Sequence, residues 1–133
     1  MSETILVLDD NWDFLMNIKL ILEMEGYQVL SACKGSEALT LLERTRPDLI
    51  ISDIMMPEMD GYEFYQRVRR NPELLTVPFI FLSAKDERED IRFGKQLGAD
   101  DYLTKPLEPE DLVIAVEANL RRPTELTTMT CGP

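Results

Sequence analysis

Four short strand-like runs in this sequence end on residues that can do chemistry. Ile5-Leu6-Val7-Leu8 leads into Asp9-Asp10, and Leu49-Ile50-Ile51-Ser52 leads into Asp53. Phe79-Ile80-Phe81-Leu82 leads into Ser83, and Asp101 to Thr104 leads into Lys105. If the four ends meet, three carboxylates, a hydroxyl and an ammonium share one place. Close carboxylates repel and raise each other's pKa unless something positive joins them. Mg²⁺ suits such a site, because it is hard, takes oxygen ligands and commonly pairs one or two carboxylates with phosphate oxygens. Such an ion polarises an incoming phosphoryl group and offsets its charge. One carboxylate must stay free enough to attack. Asp53, at the end of the central run and flanked by the others, is the best candidate. Lys105 can then pair with the new phosphate and Ser83 can donate a hydrogen bond to it. Singly, each residue has a structural explanation. Asp10 or Asn11 could cap a helix, Asp53 could serve a turn, Ser83 could be a loop hydroxyl and Lys105 a solvated amine. The agreement of all four ends is what points to a site.

The elements that would position these residues alternate along the chain. The strand-like runs are separated by amphipathic segments, the pattern of βα units and a parallel sheet. Asn11 to Glu25 predicts a helix with Leu15, Ile18 and Leu22 on one face and Gly26 as its stop. Tyr27 to Ala32 predicts a second strand. Ser36 to Arg46 predicts a helix presenting Ala38, Leu41 and Leu42, closed by Pro47. Met55 to Gly61 is rich in turn residues, and Tyr62 to Arg70 predicts a third helix. Asp86 to Leu97 predicts a fourth, with Asp86 and Glu89 spaced as a capping pair and Gly98 as its stop. Pro109 to Arg122 predicts the last, with Leu112, Val116 and Leu120 inward. Five strands and five helices alternating without a break, joined by right-handed crossovers, give an α/β fold: an open, doubly wound sheet with helices on both faces. Sites in such sheets lie at the carboxyl ends of the strands.

Composition narrows the function. The 133 residues suffice for one domain, and no apolar run approaches the roughly 18 residues of a membrane span. A start of Met1-Ser2-Glu3-Thr4 lacks the basic opening of a secretory signal, so a cytoplasmic location is expected. The net charge of −11 argues against direct nucleic-acid binding by this segment. Cys33 and Cys131 are read as two reduced thiols, since no zinc-type spacing exists. There is no histidine in the chain. Any phosphohistidine donor must therefore come from outside it.

These pieces together resemble the receiver domain of a two-component response regulator. The resemblance is carried by Leu8-Asp9-Asp10, by Ser52-Asp53-Ile54-Met55-Met56-Pro57-Glu58-Met59-Asp60-Gly61, by Leu82-Ser83-Ala84, and by Gly98-Ala99-Asp100-Asp101-Tyr102-Leu103-Thr104-Lys105-Pro106. They fall in order and cover residues 4 to 122. The resemblance implies a five-stranded parallel sheet in the flavodoxin-like order 2-1-3-4-5. It implies Asp53 as phosphoacceptor. Asp10 and Asp53 would ligate Mg²⁺ directly, Asp9 mostly through water, and the Met55 backbone carbonyl would complete the protein ligands. Ser83 and Tyr102 would be a switch pair, the hydroxyl moving to the phosphate as the ring turns inward. Lys105 would contact the phosphate, with a cis bond to Pro106 shaping its loop. The donor would be a histidine kinase or phosphotransfer protein, and the signal would pass to the face formed by the fourth helix, fifth strand and fifth helix. Such a domain is a phosphoacceptor that catalyses only its own phosphorylation and dephosphorylation.

Rival readings fit the residues less well. A phosphatase with an aspartyl nucleophile wants a second carboxylate two residues later, where this chain has Met55. A flavodoxin-like cofactor binder would cradle phosphate in its first loop, where Asp9-Asp10 would repel it. A silent interaction domain would not need the acid, hydroxyl and lysine set. Asp100-Asp101 lies at the wrong end of its strand for the metal and reads as a turn and helix-end polar cluster. The receiver domain is expected over 1–122. Residues 123–133 are expected to be a flexible tail, either a linker to an output domain or a loose or appended terminus. Many receivers of this resemblance dimerise by pairing acids near Asp100 and Asp101 with bases on the fifth helix. Here the matching positions read as Ala115 and Glu117, so a monomer or a weak phosphorylation-dependent dimer is expected.

Overall fold

A computed structural model describes residues 3–83 and 98–131, with side chains as far as Leu120. The apolar runs form strands β1 (Thr4–Leu8), β2 (Gln28–Ala32), β3 (Leu49–Asp53) and β4 (Phe79–Ser83), and Asp101–Thr104 forms β5. Helices α1 (Trp12–Met24), α2 (Gly35–Arg44) and α3 (Gly61–Arg69) follow the first three strands, and α4 (Pro109–Cys131) follows β5. A single 3₁₀ turn, Pro72–Leu74, precedes β4. The helix expected over Asp86 to Leu97 lies outside the described residues.

All four strand pairings are parallel and the order is β2-β1-β3-β4-β5. Strand periodicity explains why the three central strands read as unbroken apolar runs: each is buried on both faces. Along β1, Leu6 and Leu8 join one core with Ile50, Phe79 and Phe81, closed by Ala38 and Leu42 of α2 and Phe64 and Val68 of α3. Ile5 and Val7 join the other with Ile51, Ile80 and Leu82, closed by Leu15, Ile18 and Leu22 of α1 and Leu112 and Val116 of α4. Helices therefore cover both faces, and the edge strands β2 and β5 are only half-buried. Gly26, with φ +96°, turns the chain out of α1 in the left-handed conformation that side chains disfavour.

Two expectations change. The last helix does not end at Arg122 but continues through Cys131. Pro123 cannot donate to the Asn119 carbonyl one turn back, which ordinarily disfavours helix. Yet the residues that follow contain no glycine before Gly132. Ala115 is 8% exposed and belongs to the α1–α4 core. Of the two positions matched to a charged dimer face, only Glu117 can therefore present itself at the surface.

The far end of the sheet is held by a polar brace. The Asp100 carboxylate accepts from the Phe79 N–H at 2.8 Å and from Arg69 at 3.4 Å. Arg69 also donates to the carbonyls of Leu74 and Val77. Asp101 accepts from the buried Asn119 amide at 3.1 Å. Both acids thus have structural work at the amino end of β5.

Candidate functional site

Parallel register brings the carboxyl ends of the strands level. Leu8 aligns with Ala32 and Ser52, Asp53 with Leu82, and Ser83 with Thr104. The residues just beyond β1 and β5 and the last residues of β3 and β4 therefore converge. Asp9, Asp10 and Asp53 each offer a carboxylate oxygen, all within 4.8 Å of one another. Asp9 and Asp53 are buried, whereas Asp10 is exposed.

Local structure fixes each acid. The Asn11 N–H donates to Asp9 Oδ1 at 2.9 Å. Asn11 in turn caps α1, accepting from the Phe14 N–H at 3.1 Å. Asp10 is thereby left to face outward at the start of the helix. On β3 the buried Ser52 hydroxyl donates to the Asp53 carbonyl at 2.9 Å. Asp60 caps α3 by accepting from the Glu63 N–H, and the Gly61 N–H donates to the Ile54 carbonyl at 2.8 Å. The first turn of α3 consequently sits directly on the backbone that carries Asp53.

Lys105 is the cation of the cluster. Its backbone N–H donates to the Ser83 carbonyl at 2.9 Å, and the Lys105–Pro106 peptide is cis. Nζ lies 2.9 Å from Asp9 Oδ2 and 3.4 Å from Asp53 Oδ2. One ammonium thus pairs with two carboxylates of a cluster of three. Burial pushes the Asp53 carboxyl up to about 6, with the neighbouring Asp9 charge adding to the effect and Lys105 opposing it. Desolvation rather than like-charge repulsion is the larger cause.

The Ser83 hydroxyl is buried and has no hydrogen-bond partner among the described residues. A buried hydroxyl is normally satisfied, and no described residue does so here. Phe81 and Ser83 point to the same face of β4, and Tyr102 is the register partner of Phe81. The Tyr102 ring packs on Phe81 with centroids 5.9 Å apart, one residue pair behind Ser83. Its hydroxyl is also buried without a partner among the described residues. Burial, with Tyr65 and Asp100 nearby, pushes that phenol up to about 12, so it stays protonated at neutral pH. The Met55 side chain is exposed and offers no carboxylate.

Sequence reasoning overlooks two neighbours of the site. Gly61 is legible only as part of a turn, although a glycine at a helix start eight residues after the acid marks a close backbone approach. Phe14 reads as an ordinary half-buried residue of α1, yet its ring lies 4.4 Å from Lys105 Nζ. Its signal is an aromatic residue one helical turn after Asp10.

Comparison with known proteins agrees with this arrangement. The family model described as the response regulator receiver domain matches residues 5–117. The chain is 43% identical over 122 residues to the alkaline phosphatase synthesis transcriptional regulatory protein PhoP of Bacillus subtilis, an alignment covering 92% of this chain and 50% of that protein. The chain spans about half the length of the curated relatives it matches. Among solved structures, the chemotaxis response regulator CheY4 of Vibrio cholerae is similar with a TM-score of 0.84 and 33% identity, over 90% of this chain and 99% of that one. The signal receiver domain of a signal transduction histidine kinase from Syntrophus aciditrophicus also has a TM-score of 0.84, at 39% identity over 91% of this chain and 92% of that one. Sheet order, site geometry and these relatives agree: the chain belongs to the response regulator receiver domain family of two-component systems.

Proposed function

We propose that Asp53 is the phosphoacceptor of a reversible signalling switch, supplied by the phosphohistidine of a histidine kinase or phosphotransfer protein. The observation that carries this reading is the pairing of a buried Asp53 carboxylate with Lys105 beside a hydroxyl, Ser83, that has no partner of its own among the described residues. An Asp53 oxygen attacks phosphorus, the new O–P bond forms as the donor's P–N bond breaks, and the leaving imidazole takes up a proton. Lys105 swings from Asp9 toward the added phosphate, and the Ser83 hydroxyl donates to it. Because these contacts exist only with phosphate present, they favour a second conformation. Tyr102, packed behind Ser83 on the same face, is the element through which we read the change passing toward β5 and α4.

The donor set fits a hard divalent cation. Asp10 and Asp53 would hold Mg²⁺ directly, Asp9 mostly through water, and Met55 through its backbone carbonyl. When bound, Mg²⁺ supplies charge neutralisation at the transferring phosphoryl oxygens. Trp12, exposed at the start of α1 two residues after Asp10, gives a direct readout. Its fluorescence is expected to titrate with Mg²⁺, with a strongly weakened response in Asp10→Ala and a smaller loss in Asp9→Ala. A titration unchanged in Asp10→Ala would remove that residue from the ligand set.

Several further features belong to the same reading. No helix among the described residues is long and apolar enough to cross a membrane, and a cytoplasmic location is part of the same proposal. With a net charge of −11, contact with nucleic acid would fall to an output portion rather than to this domain. Residues 1–122 are proposed as the receiver unit and 123–133 as either a tail or a linker to an output domain; a protein target is the other candidate partner of the receiver. The acidic character of Glu117, where a base would be needed, supports a monomer or a weak phosphorylation-dependent dimer.

The decisive experiment is incubation with acetyl phosphate and Mg²⁺, followed by intact-mass and peptide mass spectrometry. One hydroxylamine-labile phosphoryl group on the peptide containing Asp53, absent when EDTA is present, is the expected result. A label of similar yield on another carboxylate would assign the acceptor elsewhere.

A further inference from the structure

Lys105 has a partner that neither the acid cluster nor the switch requires. Its Nζ lies 4.4 Å from the centroid of the Phe14 ring, in addition to the two carboxylates at 2.9 and 3.4 Å. The ammonium thus has both an aromatic face and an acidic cluster within reach. We infer that Phe14 is a positioning residue for Lys105, its ring holding the ammonium over the acid site through a cation–π contact so that it is in place when phosphate arrives. The inference concerns how Lys105 performs the role proposed above, and in that sense rests on that reading.

Both ends of the contact are tied to the backbone of the site. The Phe14 N–H donates to the Asn11 side chain that caps α1, one residue beyond Asp10. The Lys105 N–H donates to the carbonyl of Ser83. The ring body packs against the α1–α4 core, which fixes its plane. Apart from its two ion pairs, the lysine has no such restraint of its own. Its side chain is 26% exposed, and a long flexible stem with a strongly hydrated head would otherwise spend time in solvent. Attraction to an aromatic face extends to about 6 Å from the centroid. The ammonium can therefore move from Asp9 toward a phosphate on Asp53 without leaving the ring. An ion pair with Asp9 alone would resist that movement, since every step toward the phosphate lengthens it. The ring offers a broad attraction along the path and does not compete as a ligand for the phosphate.

The test uses NMR of the unphosphorylated, EDTA-treated protein, followed by uptake kinetics. In wild type the Lys105 ε-methylene protons should lie upfield of those of exposed Lys34, because they sit over the ring. Phe14→Leu should abolish that shift and Phe14→Tyr should retain it. An unshifted Lys105 in wild type, or a shift surviving in Phe14→Leu, would overturn the contact. Loss of the shift in Phe14→Tyr as well would also count against it. With acetyl phosphate below saturation, Phe14→Leu should slow uptake roughly two- to fivefold, the range such a contact supports at a partly exposed site. Phe14→Tyr should restore the rate. In a Lys105→Gln background, Phe14→Leu should add no further loss, whereas an equal loss there would place the effect on something other than the ammonium. Failure of wild type to take phosphate at all would defeat the functional reading and leave the NMR result to judge Phe14 separately.

Discussion

Asp53→Asn is expected to take no phosphoryl group and, in metal-free buffer at neutral pH, to be more stable than the parent by about 2 kcal/mol. The first half follows from chemistry, since an amide lacks the carboxylate nucleophile. The second follows from burial. In the folded protein the carboxyl is raised from 3.8 to about 6, chiefly by desolvation and then by Asp9. Between those two values the native state holds this proton and the unfolded chain does not. Stability therefore falls as pH rises through that window and levels off above about pH 6. Each tenfold change in proton affinity is worth about 1.4 kcal/mol. The Lys105 attraction is already contained in that raised value, and once the amide's own burial cost is set against the roughly 3 kcal/mol of the shift, a gain of about 2 kcal/mol remains. For a domain of this size that corresponds to a rise in Tm on the order of 5–10 °C. Urea melts at pH 5 and pH 7.5 with EDTA separate this group from the other acids, whose collective repulsion acts on parent and variant alike. The parent should lose the extra stability between the two pH values and the variant should not. Equal pH dependence in both would show that the ionised Asp53 is not strained by its surroundings. Mg²⁺ should narrow the gap, by binding the parent more tightly than the variant.

That cost helps to explain why the site is legible from the chain. A buried acid at the end of an apolar run opposes folding, and it is found repeatedly here. Asp9, Asp53, Ser83 and Lys105 each close a strand, and parallel pairing brings strand ends level whatever the loops do. Hydrophobic runs and their polar ends suffice to read a parallel sheet and the edge where those ends gather, while the strand order rests on the family resemblance. Features set by three-dimensional packing are not readable in this way. Phe14 is one of several apolar residues on α1, and nothing in its spacing says that a lysine from the end of β5 lies over its ring. Asn119 looks like a polar residue on a helix, yet it is buried to bond Asp101 and the Ala115 carbonyl. Ala115 reads as a surface position by analogy, but a small side chain at that helical position packs into the core. The end of α4 is misplaced in the sequence because proline is a strong local stop signal, and local signals yield when the flanking residues continue the helix. Each miss concerns how a single side chain packs against another element or how far an element runs, whereas the correct readings rest on patterns within elements and on the levelling of strand ends by parallel pairing.

Gly61→Ala is expected to lower stability by about 3 kcal/mol and phosphoryl uptake by roughly 10- to 100-fold. The added carbon has nowhere to go. A Cβ at this position would fall on the Asp53 carbonyl oxygen, 2.8 Å from the Ile54 Cα and 3.1 Å from the Asp53 carbonyl carbon. Real side chains do not tolerate such contacts with backbone. The obstacle cannot move easily, because the Asp53 carbonyl accepts from the Ser52 hydroxyl and the Ile54 carbonyl accepts from the Gly61 N–H itself. Relief requires either that α3 lift from the loop, breaking that last bond, or that the backbone carrying Asp53 shift. Either movement disturbs a carboxylate that, as the proposed phosphoacceptor, must meet phosphorus in line, and a displacement near 1 Å can cost about 100-fold in rate. Gly26→Ala provides the control. Its φ of +96° makes alanine unfavourable by about 1 kcal/mol, but no atom lies within 4 Å of the added carbon. That variant should lose stability and keep its rate of uptake from acetyl phosphate. Urea denaturation and uptake kinetics on the two variants separate steric displacement of the site from a general loss of stability. Wild-type uptake in a folded Gly61→Ala would mean that α3 can lift without moving Asp53, and the rigid seating of the acid on that helix would then play no part in its reactivity.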